Sequence, residues 1–265
     1  MAINKTIGFI GAGNMASALI ESIIKAGLVS PENIIASDRN KEKLEKLKKN
    51  INIAITQSNK EVAQNSDILF LCVKPKDFDG LLEEIKDIAK NKLIVSIAAG
   101  IKLKKIESKL DSRVIRVMPN TPCIVGEMAA GFSLGKKSTK KDAEIIKNIL
   151  TSAGKAFLLK EDMLDVVTAL SGSGPAFFAF FIDEFAKAAI KNGLDKDIAF
   201  QLAAQTCLGT GKLLLEKNIK PDELIKMVAS KGGTTEAGLK VLKKSTKLLE
   251  KTFNAALKKS KGLGK

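Results

Sequence analysis

The amino-acid sequence predicts an α/β domain followed by an all-α domain, with the boundary between residues 160 and 161. Up to Leu159, short apolar runs alternate with helical patterns, which is typical of βαβ units and a mainly parallel sheet. Runs such as Ile68–Val73 are apolar on both faces, as a sheet covered by helices on both sides requires. After Leu164, only helical patterns remain.

The first domain, residues 1–160, has a regular succession of expected elements. Strands are expected at Thr6–Ile10, Ile34–Ser37, Ile51–Ile55, Ile68–Val73, Leu93–Ile97, Val114–Met118, Ala129–Leu134 and Ala156–Leu159. Helices are expected at Met15–Ala26, Lys41–Asn50, Asp77–Lys90, Leu103–Leu110 and Lys140–Ala153.

The second domain, residues 161–265, reads as consecutive helices. Pro175 begins one that ends at Asn192–Gly193, and Asp195 caps a second that runs to about Glu216. Pro221 begins a short third helix, and Thr234–Thr235 begin a last one that runs to about Leu257. The first of these helices is apolar nearly all round, so we expect a second subunit to cover it, making a homodimer the minimum assembly.

Composition excludes several classes of site. The chain has no histidine, so imidazole metal sites and catalytic triads with a histidine base are excluded. Cys72, Cys123 and Cys207 are scattered, and neither a disulfide framework nor a metal site is expected. The net charge of +15 comes mostly from lysines interspersed with acids on helical segments, so we expect a solvated surface that favours an anionic ligand and not a nucleic-acid partner.

The chain is expected to be cytoplasmic and not bound to a membrane. The N-terminal residues lead straight into a strand pattern without the signature of a signal peptide. The longest apolar run of the second half, Ala176–Ile182, is far shorter than the roughly 20 residues that span a bilayer.

The segment GAGNMA, residues 11–16, follows the first strand and opens a helix, which is the context of a dinucleotide-binding turn in a Rossmann-type domain. Gly11 would make the tight turn, Gly13 would let the backbone approach a pyrophosphate, and Ala16 would pack the helix on the strand. The helix N-terminus supplies free N–H groups for that pyrophosphate.

The second strand ends in ASDR, where a residue that contacts the ribose of the cofactor is expected. The residues there favour different cofactors. Asp38 suits a free 2′-hydroxyl, as in NADH, whereas Ser37 and Arg39 suit the 2′-phosphate of NADPH. At two further strand ends, VKP at 73–75 and SIAAG at 96–100 lie where open α/β sheets bind ligands.

Seven segments together resemble the pyrroline-5-carboxylate reductase family, the last enzyme of proline synthesis. They are GFIGAGNMA, QSNKEV, LFLCVKP, SIAAGI, RVMPNTP, LSGSGPAF and GGTTEAGL, in this order along nearly the whole chain. The last three are the specific ones. The resemblance implies an NAD(P)H-dependent imine reductase whose Rossmann domain precedes an all-α dimerisation domain, with dimers that often form decamers.

The resemblance also implies a set of site residues. Those assigned to the cofactor, NADPH with NADH as the alternative, are Ile10, Gly11, Ala12, Gly13, Asn14, Met15, Ala16, Ser37, Arg39, Asn59, Val73, Lys74, Pro75, Ala98, Ala99 and Gly100. Those assigned to the imino-acid substrate are Asn120, Glu161, Ser230, Gly233, Thr234 and Thr235, with Met118 and Thr121 on the floor of the site. Thr235 would hydrogen-bond the ring nitrogen as the catalytic residue, and no metal is expected.

Alternatives to this interpretation remain. Thr234 or Thr235 could be a plain helix cap, and the chain could reduce another cyclic imine or a carbonyl. A basic, NADP-sensing protein without catalysis is the alternative outside the enzymes. The sequence departs from the family where Lys231 replaces the usual proline before GGTT, and Met227 replaces a polar residue that some members carry.

Overall fold

The computed structural model describes residues 3–263, which form two compact units. Of the described residues, the first unit comprises 3–173 together with 256–263, and the second is Gly174–Ala255. The sequence boundary at residue 160 stays a prediction.

The first unit is built on one eight-stranded sheet. Its strands are β1 Ile7–Ile10, β2 Ile34–Ser37, β3 Ala54–Thr56, β4 Ile68–Leu71, β5 Leu93–Ser96, β6 Arg113–Met118, β7 Met128–Leu134 and β8 Gly154–Leu158. They lie in the order β3-β2-β1-β4-β5-β6-β7-β8, and every pair is parallel except β6 with β7. The predicted mainly parallel α/β sheet is therefore confirmed.

Helices join the strands and continue through the second unit. They are α1 Asn14–Lys25, α2 Lys41–Ile51, α3 Asn59–Gln64, α4 Phe78–Ile85, α5 Leu103–Glu107, α6 Lys140–Thr151, α7 Met163–Val167, α8 Gly174–Lys191, α9 Lys196–Glu216, α10 Pro221–Val228, α11 Thr234–Leu242 and α12 Thr246–Gly262. Asp195 caps α9 as predicted, since its carboxylate accepts the N–H groups of Asp197 and Ile198. A short π-helical turn, Thr168–Gly172, follows α7.

The structure differs from the predicted elements at a few places. Ile51 ends α2 instead of opening a strand, because Asn52 takes the left-handed conformation that terminates the helix, and β3 starts only at Ala54. The helix α3, which the sequence reading missed, is capped by the Ser58 side chain. The last predicted helix is divided by a 3₁₀ turn at Lys243–Ser245, and its second part runs on to Gly262.

The core of the first unit lies on both faces of the sheet. One face is covered by side chains of α1 and α6, including Leu19, Ile23 and Ile146, and the other by side chains of α4 such as Phe78 and Leu82. Phe9 and Phe70 stack at 4.8 Å between neighbouring strands. This covered parallel sheet brings the carboxyl ends of β1, β2, β4 and β5 to one edge, where ligands bind in such folds.

Candidate active site

A cleft of about 430 Å³ lies at this edge, next to β1. The strand order changes direction at β1, which has β2 on one side and β4 on the other, and open α/β sheets bind ligands at such a point. Its wall includes the glycine-rich turn, the end of β2 and the exit of β4. The lining residues are Gly11, Gly13, Asp38, Arg39, Lys43, Asn59, Cys72, Val73, Lys74, Asp77, Gly80, Leu81 and Glu84. Six of the sixteen residues that the sequence assigned to a cofactor line this cleft, and Ala98, Ala99 and Gly100 do not. The six are Gly11, Gly13, Arg39, Asn59, Val73 and Lys74.

The two glycines of the turn have different physical roles. Gly11 has φ +102°, and a Cβ there would lie 2.7 Å from the carbonyl oxygen of Cys72, so only glycine fits the turn itself. Gly13 is extended, with φ −77° and ψ 175°, and a Cβ there would meet no protein atom within 4 Å. Gly13 therefore leaves open space that a ligand can occupy.

Helix α1 presents its N-terminus at this turn. Gly13 is the N-cap and contributes no side-chain cap, and the first turn carries no acidic residue. The N–H groups of the first turn consequently have no partner within the helix and favour an anion. Ala16 is 1% exposed, which agrees with its predicted role of packing α1 on the sheet.

Asp38 holds the end of β2 against the glycine-rich turn. One carboxylate oxygen accepts the N–H of Ala12 at 2.9 Å, and the other accepts the N–H of Asn40 at 2.9 Å. Both oxygens thus have backbone partners. The side chain supports the turn in addition to any contact it makes with a ribose.

Ser37 and Asn59 begin a chain of polar side chains in which Asn59 and Glu84 line the cleft. The Ser37 hydroxyl is fully buried and donates to Asn59 Oδ1 at 2.9 Å, while Asn59 Nδ2 donates to Glu84 at 2.9 Å. The only proton of the Ser37 hydroxyl is therefore already used within the protein.

Arg39 follows the end of β2 and is exposed to solvent. Its side chain is 83% exposed and donates to Asp77 Oδ1 at 3.2 Å. Asp77 lies in the turn Pro75–Asp77 that follows the VKP segment. An exposed ion pair of this kind contributes little to stability, so Arg39 is free to change partner when an anion binds.

The loop Ala98–Lys102 joins β5 to α5 and contains the predicted ring-binding residues Ala98, Ala99 and Gly100. Ala98 is buried, and Gly100 has φ +77°. A Cβ on Gly100 would lie 2.8 Å from both Cβ and the carbonyl oxygen of Leu263, so the end of the α12 segment packs closely on the loop.

Asn120 and Glu161 both have side-chain partners inside the first unit. The Asn120 amide donates to the carbonyl of Ser171 at 3.0 Å and accepts the N–H of Ala129 at 2.9 Å. Glu161 Oε1 accepts the N–H of Leu103 at 2.7 Å and a hydrogen bond from Arg116 at 3.1 Å. Met118 ends β6, and Thr121 opens a 3₁₀ turn after Asn120.

The GGTT segment forms the start of α11 in the second unit. Gly233 is the N-cap, so the capping alternative for Thr234 and Thr235 is wrong. Ser230 makes the turn, since its carbonyl accepts the N–H of Gly233 at 3.1 Å. Thr234 is exposed and Thr235 half-buried, and the N–H groups at the start of α11 lack partners within the helix.

Sequence reasoning missed Arg116, Asp77 and Glu84, whose roles depend on partners distant in the chain. A signal existed only for Arg116, a single charge within the apolar strand VIRVM.

Burial raises the pKa of the Cys72 thiol at the cleft floor, and it raises that of Cys123 to about 11. Within residues 3–263, no group of three or more Cys, Asp or Glu side chains is placed to hold a metal ion.

An apolar groove of about 770 Å³ opens on the second unit between α8, α9 and the following helices. Phe178, Phe180 and Phe185 of α8 are each more than half exposed, and within the described chain only Gly174 and Ala186 of that helix are buried. The stretch Met163–Lys191 is long and apolar enough to span a membrane by length and composition, with 11% of its most apolar window buried. A single helix of this kind is weak evidence for a membrane span.

Two family models match the chain. The model described as NADP oxidoreductase, coenzyme F420-dependent, covers residues 6–100, and that described as pyrroline-5-carboxylate reductase dimerisation covers residues 161–263. The pyrroline-5-carboxylate reductase of Methanosarcina acetivorans is 42% identical over 99% of both chains. Pyrroline-5-carboxylate reductase 2 of Bacillus subtilis is 40% identical over 91% of this chain and 88% of its own.

Two solved structures are similar to this chain over nearly its whole length. A pyrroline-5-carboxylate reductase of Coxiella burnetii superposes with a TM-score of 0.94 at 34% identity, covering 99% of this chain and all of its own. The Plasmodium falciparum pyrroline carboxylate reductase, solved with NADP bound, has a TM-score of 0.87 at 32% identity over the full length of both.

Proposed function

Because the chain belongs to the pyrroline-5-carboxylate reductase family, we propose that it reduces 1-pyrroline-5-carboxylate to L-proline with NAD(P)H, the last step of proline biosynthesis. The observation that carries the proposal is the cleft at the bare N-terminus of α1, where Gly13 leaves open space for a dinucleotide. The GGTT turn at the start of α11 would supply a second helix N-terminus for the substrate's carboxylate, where Glu236 of the first turn already accepts the N–H of Gly232 at 2.7 Å.

The residues of the cleft fit a dinucleotide. The N–H groups of the turn and of α1 would hold the pyrophosphate, with Ile10, Ala12, Asn14 and Met15 around it. When bound, the cofactor supplies a hydride to the carbon beside the imine nitrogen. Val73, Lys74 and Pro75 would line the path towards the loop Ala98–Lys102, against which the flat ring would lie.

The substrate would be held by the second unit. The N–H of Thr234, with Ser230, would bind its carboxylate, and the N–H of Gly233 would join them only after leaving the Ser230 carbonyl. The Thr235 hydroxyl would contact the ring nitrogen. That hydroxyl can accept from the protonated imine and exchange protons with the amine product. Because the imine carbon is already electrophilic, the chain's residues need mainly to orient the two reactants, and a histidine-free site suffices.

The 2′-phosphate of NADPH would pair with Arg39, which leaves Asp77 to do so. Ser37 would donate to the phosphate only after its hydroxyl rotates away from Asn59. Arg39→Ala is expected to weaken NADPH about 10- to 100-fold and NADH less than about twofold, since only NADPH loses a charge-assisted hydrogen bond. Fluorescence titration of both cofactors measures this, with Asp77→Asn as the matched variant that should tighten NADPH. Equal losses for both cofactors would contradict the role of Arg39.

The experiment that tests the reaction follows nicotinamide absorbance with 1-pyrroline-5-carboxylate and either NADPH or NADH. Oxidation that depends on the imine supports the proposed reaction, and the ratio of the two rates measures the balance between Asp38 and Arg39. Binding of both cofactors without turnover would contradict the substrate assignment. Other cyclic imines and the non-catalytic alternative would then be tested.

The apolar surface of the second unit supports a homodimer as the minimum assembly. That dimers associate further into decamers is part of the proposal on the family resemblance alone. Charge at the centre of α8, as in Phe180→Glu, should prevent association, because Phe180 is 62% exposed in the single chain. Light scattering measures the mass, and Lys187→Glu on the same helix provides a charge-changing control. A Phe180→Glu protein that stays associated would contradict the use of this face.

The cytoplasmic location, the boundary at residues 160 and 161, and the absence of nucleic-acid and membrane partners belong to the same proposal. A dimer face on α8 accounts for an apolar helix that is exposed in the single chain. The dispersed lysines fit attraction of anionic reactants. Sedimentation with vesicles and with duplex DNA at two salt concentrations tests both absences.

A further inference from the structure

The loop Ala98–Lys102 is held at its start and at its end by specific contacts. At the start, the N–H of Ala98 points to the buried Ser96 hydroxyl at 3.4 Å, and the N–H of Ile97 bonds to Leu71 at 3.3 Å. At the end, Lys102 is the N-cap of α5 and Leu103 its first residue. The N–H of Leu103 has no partner within the helix and needs one from elsewhere.

Glu161 supplies that partner. Its Oε1 accepts the N–H of Leu103 at 2.7 Å, although the two residues are 58 positions apart in the chain. The same oxygen accepts from Arg116 at 3.1 Å. The carboxylate therefore joins the end of the loop to the middle of the sheet, through a backbone group that no substitution of Leu103 other than proline removes.

Arg116 makes this anchor rigid. Its side chain is 3% exposed and lies on β6 beside Ser96 of β5, whereas the side chain of Glu161 is 29% exposed. A buried guanidinium cannot lose its proton and needs a carboxylate partner, so Arg116 restrains Glu161 to one position. Removing either partner leaves the other charge uncompensated.

Leu263 restrains the middle of the loop from another side. Its Cβ and carbonyl oxygen occupy the space that a Cβ on Gly100 would need. Ser260, one turn earlier, donates to Asp165 Oδ1 at 2.8 Å and is 5% exposed. The loop is thus fixed at its start, middle and end by contacts within the first unit.

We propose that Glu161, supported by Arg116, is a positioning residue that fixes the loop Ala98–Lys102 for the nicotinamide ring, and not a residue that touches the substrate. The proposal rests on the proposed function in one respect, the placement of the ring beside this loop. A shift of about 1 Å in a reacting group can lower a rate about a hundredfold, so a fixed loop matters for hydride transfer.

The sharpest test removes only the N–H that Glu161 accepts. Leu103→Pro deletes this donor at the first helical position, where proline is tolerated, and Lys102 has the extended conformation that precedes proline, with φ −81° and ψ 152°. Leu103→Ala is the matched control, because it shortens the same side chain and keeps the N–H. Glu161→Gln is the second variant, which keeps an acceptor oxygen but removes the charge facing Arg116.

Four measurements are made on the full-length protein: hydrogen exchange of residues 98–102 without cofactor, Kd for NADPH, Kd for 2′-phospho-ADP-ribose, and steady-state kinetics. Compared with Leu103→Ala, the Leu103→Pro protein should exchange the amide hydrogens of residues 98–102 at least about tenfold faster. Its Kd for NADPH should rise about tenfold, and its kcat should fall about 10- to 100-fold. Binding of 2′-phospho-ADP-ribose, which lacks the ring, and KM for the imine should change less than about twofold. Glu161→Gln should reproduce this pattern in weaker form.

Two results would overturn the proposal. One is a loop that exchanges equally fast in Leu103→Pro and Leu103→Ala. The other is a Glu161→Gln protein whose defect is a raised KM for the imine that saturating imine restores, which would make Glu161 a substrate contact. Failure of the proposed function can be told apart from failure of this proposal. In that case the wild-type protein would show no imine-dependent turnover. Hydrogen exchange of residues 98–102 and binding of 2′-phospho-ADP-ribose would still measure whether Glu161 fixes the loop.

Discussion

Gly13→Val is expected to weaken NADPH binding by at least about a hundredfold, or about 3 kcal/mol, while the protein remains folded. The reason is geometric. A Cβ at Gly13 meets no protein atom within 4 Å, and the backbone there is extended, so valine strains nothing in the chain itself. Its methyl groups would occupy the space in front of the N–H groups of α1 that the pyrophosphate needs.

Gly13→Ala and Gly11→Ala complete this experiment. Gly13→Ala adds one methyl group and should give an intermediate loss of affinity at a wild-type melting temperature. Gly11→Ala should lower the melting temperature, because φ +102° and a 2.7 Å approach to the Cys72 carbonyl leave no room for Cβ. Calorimetry and fluorescence titration measure the two effects separately. Retained NADPH affinity in Gly13→Val would show that the turn does not hold the pyrophosphate.

Thr235→Ala is expected to lower kcat/KM about 10- to 100-fold with less than about twofold change in NADPH affinity. The hydroxyl is not needed to cap α11, because Gly233 is the N-cap, so its removal should leave the helix intact. What is lost is a hydrogen bond to a charged substrate, which is worth about 1.5–3 kcal/mol.

Thr235→Ser keeps the hydroxyl and should recover most of the activity. Thr252→Ala is a matched threonine control in the same unit, since its hydroxyl only donates to Leu248 within α12. Circular dichroism checks that the helices persist in each variant. Full activity in Thr235→Ala would remove the ring-nitrogen role from this residue.

Much of the fold was predictable because local patterns and topology agree. Alternating apolar and amphipathic segments defined the sheet, and a capping aspartate marked the start of α9 at Asp195. Elements decided by a single backbone conformation were not predictable. The left-handed Asn52 moved the start of β3, and the 3₁₀ turn at Lys243–Ser245 divides a stretch whose apolar pattern is continuous.

The candidate site was predictable in its types of residue and less so in their contacts. The glycine-rich turn and the strand ends came directly from order along the chain. The partners of Glu161 and Ser37, and the Ser171 carbonyl that pairs with Asn120, did not, because they lie 22 to 58 residues away and depend on how the loops pack. Only the folded chain identifies Arg116 as the cation beside Glu161.

The two backbone hydrogen bonds of Asp38 restrict how cofactor preference can evolve in this chain. In many dinucleotide enzymes the acidic residue after the second strand can be exchanged to accept NADPH. Here the same carboxylate braces the turn at Ala12, so its exchange would disturb the pyrophosphate site shared by both cofactors. Evolutionary changes in the preference for NADPH or NADH are therefore expected at Arg39 and Asp77, where a substitution alters one exposed ion pair.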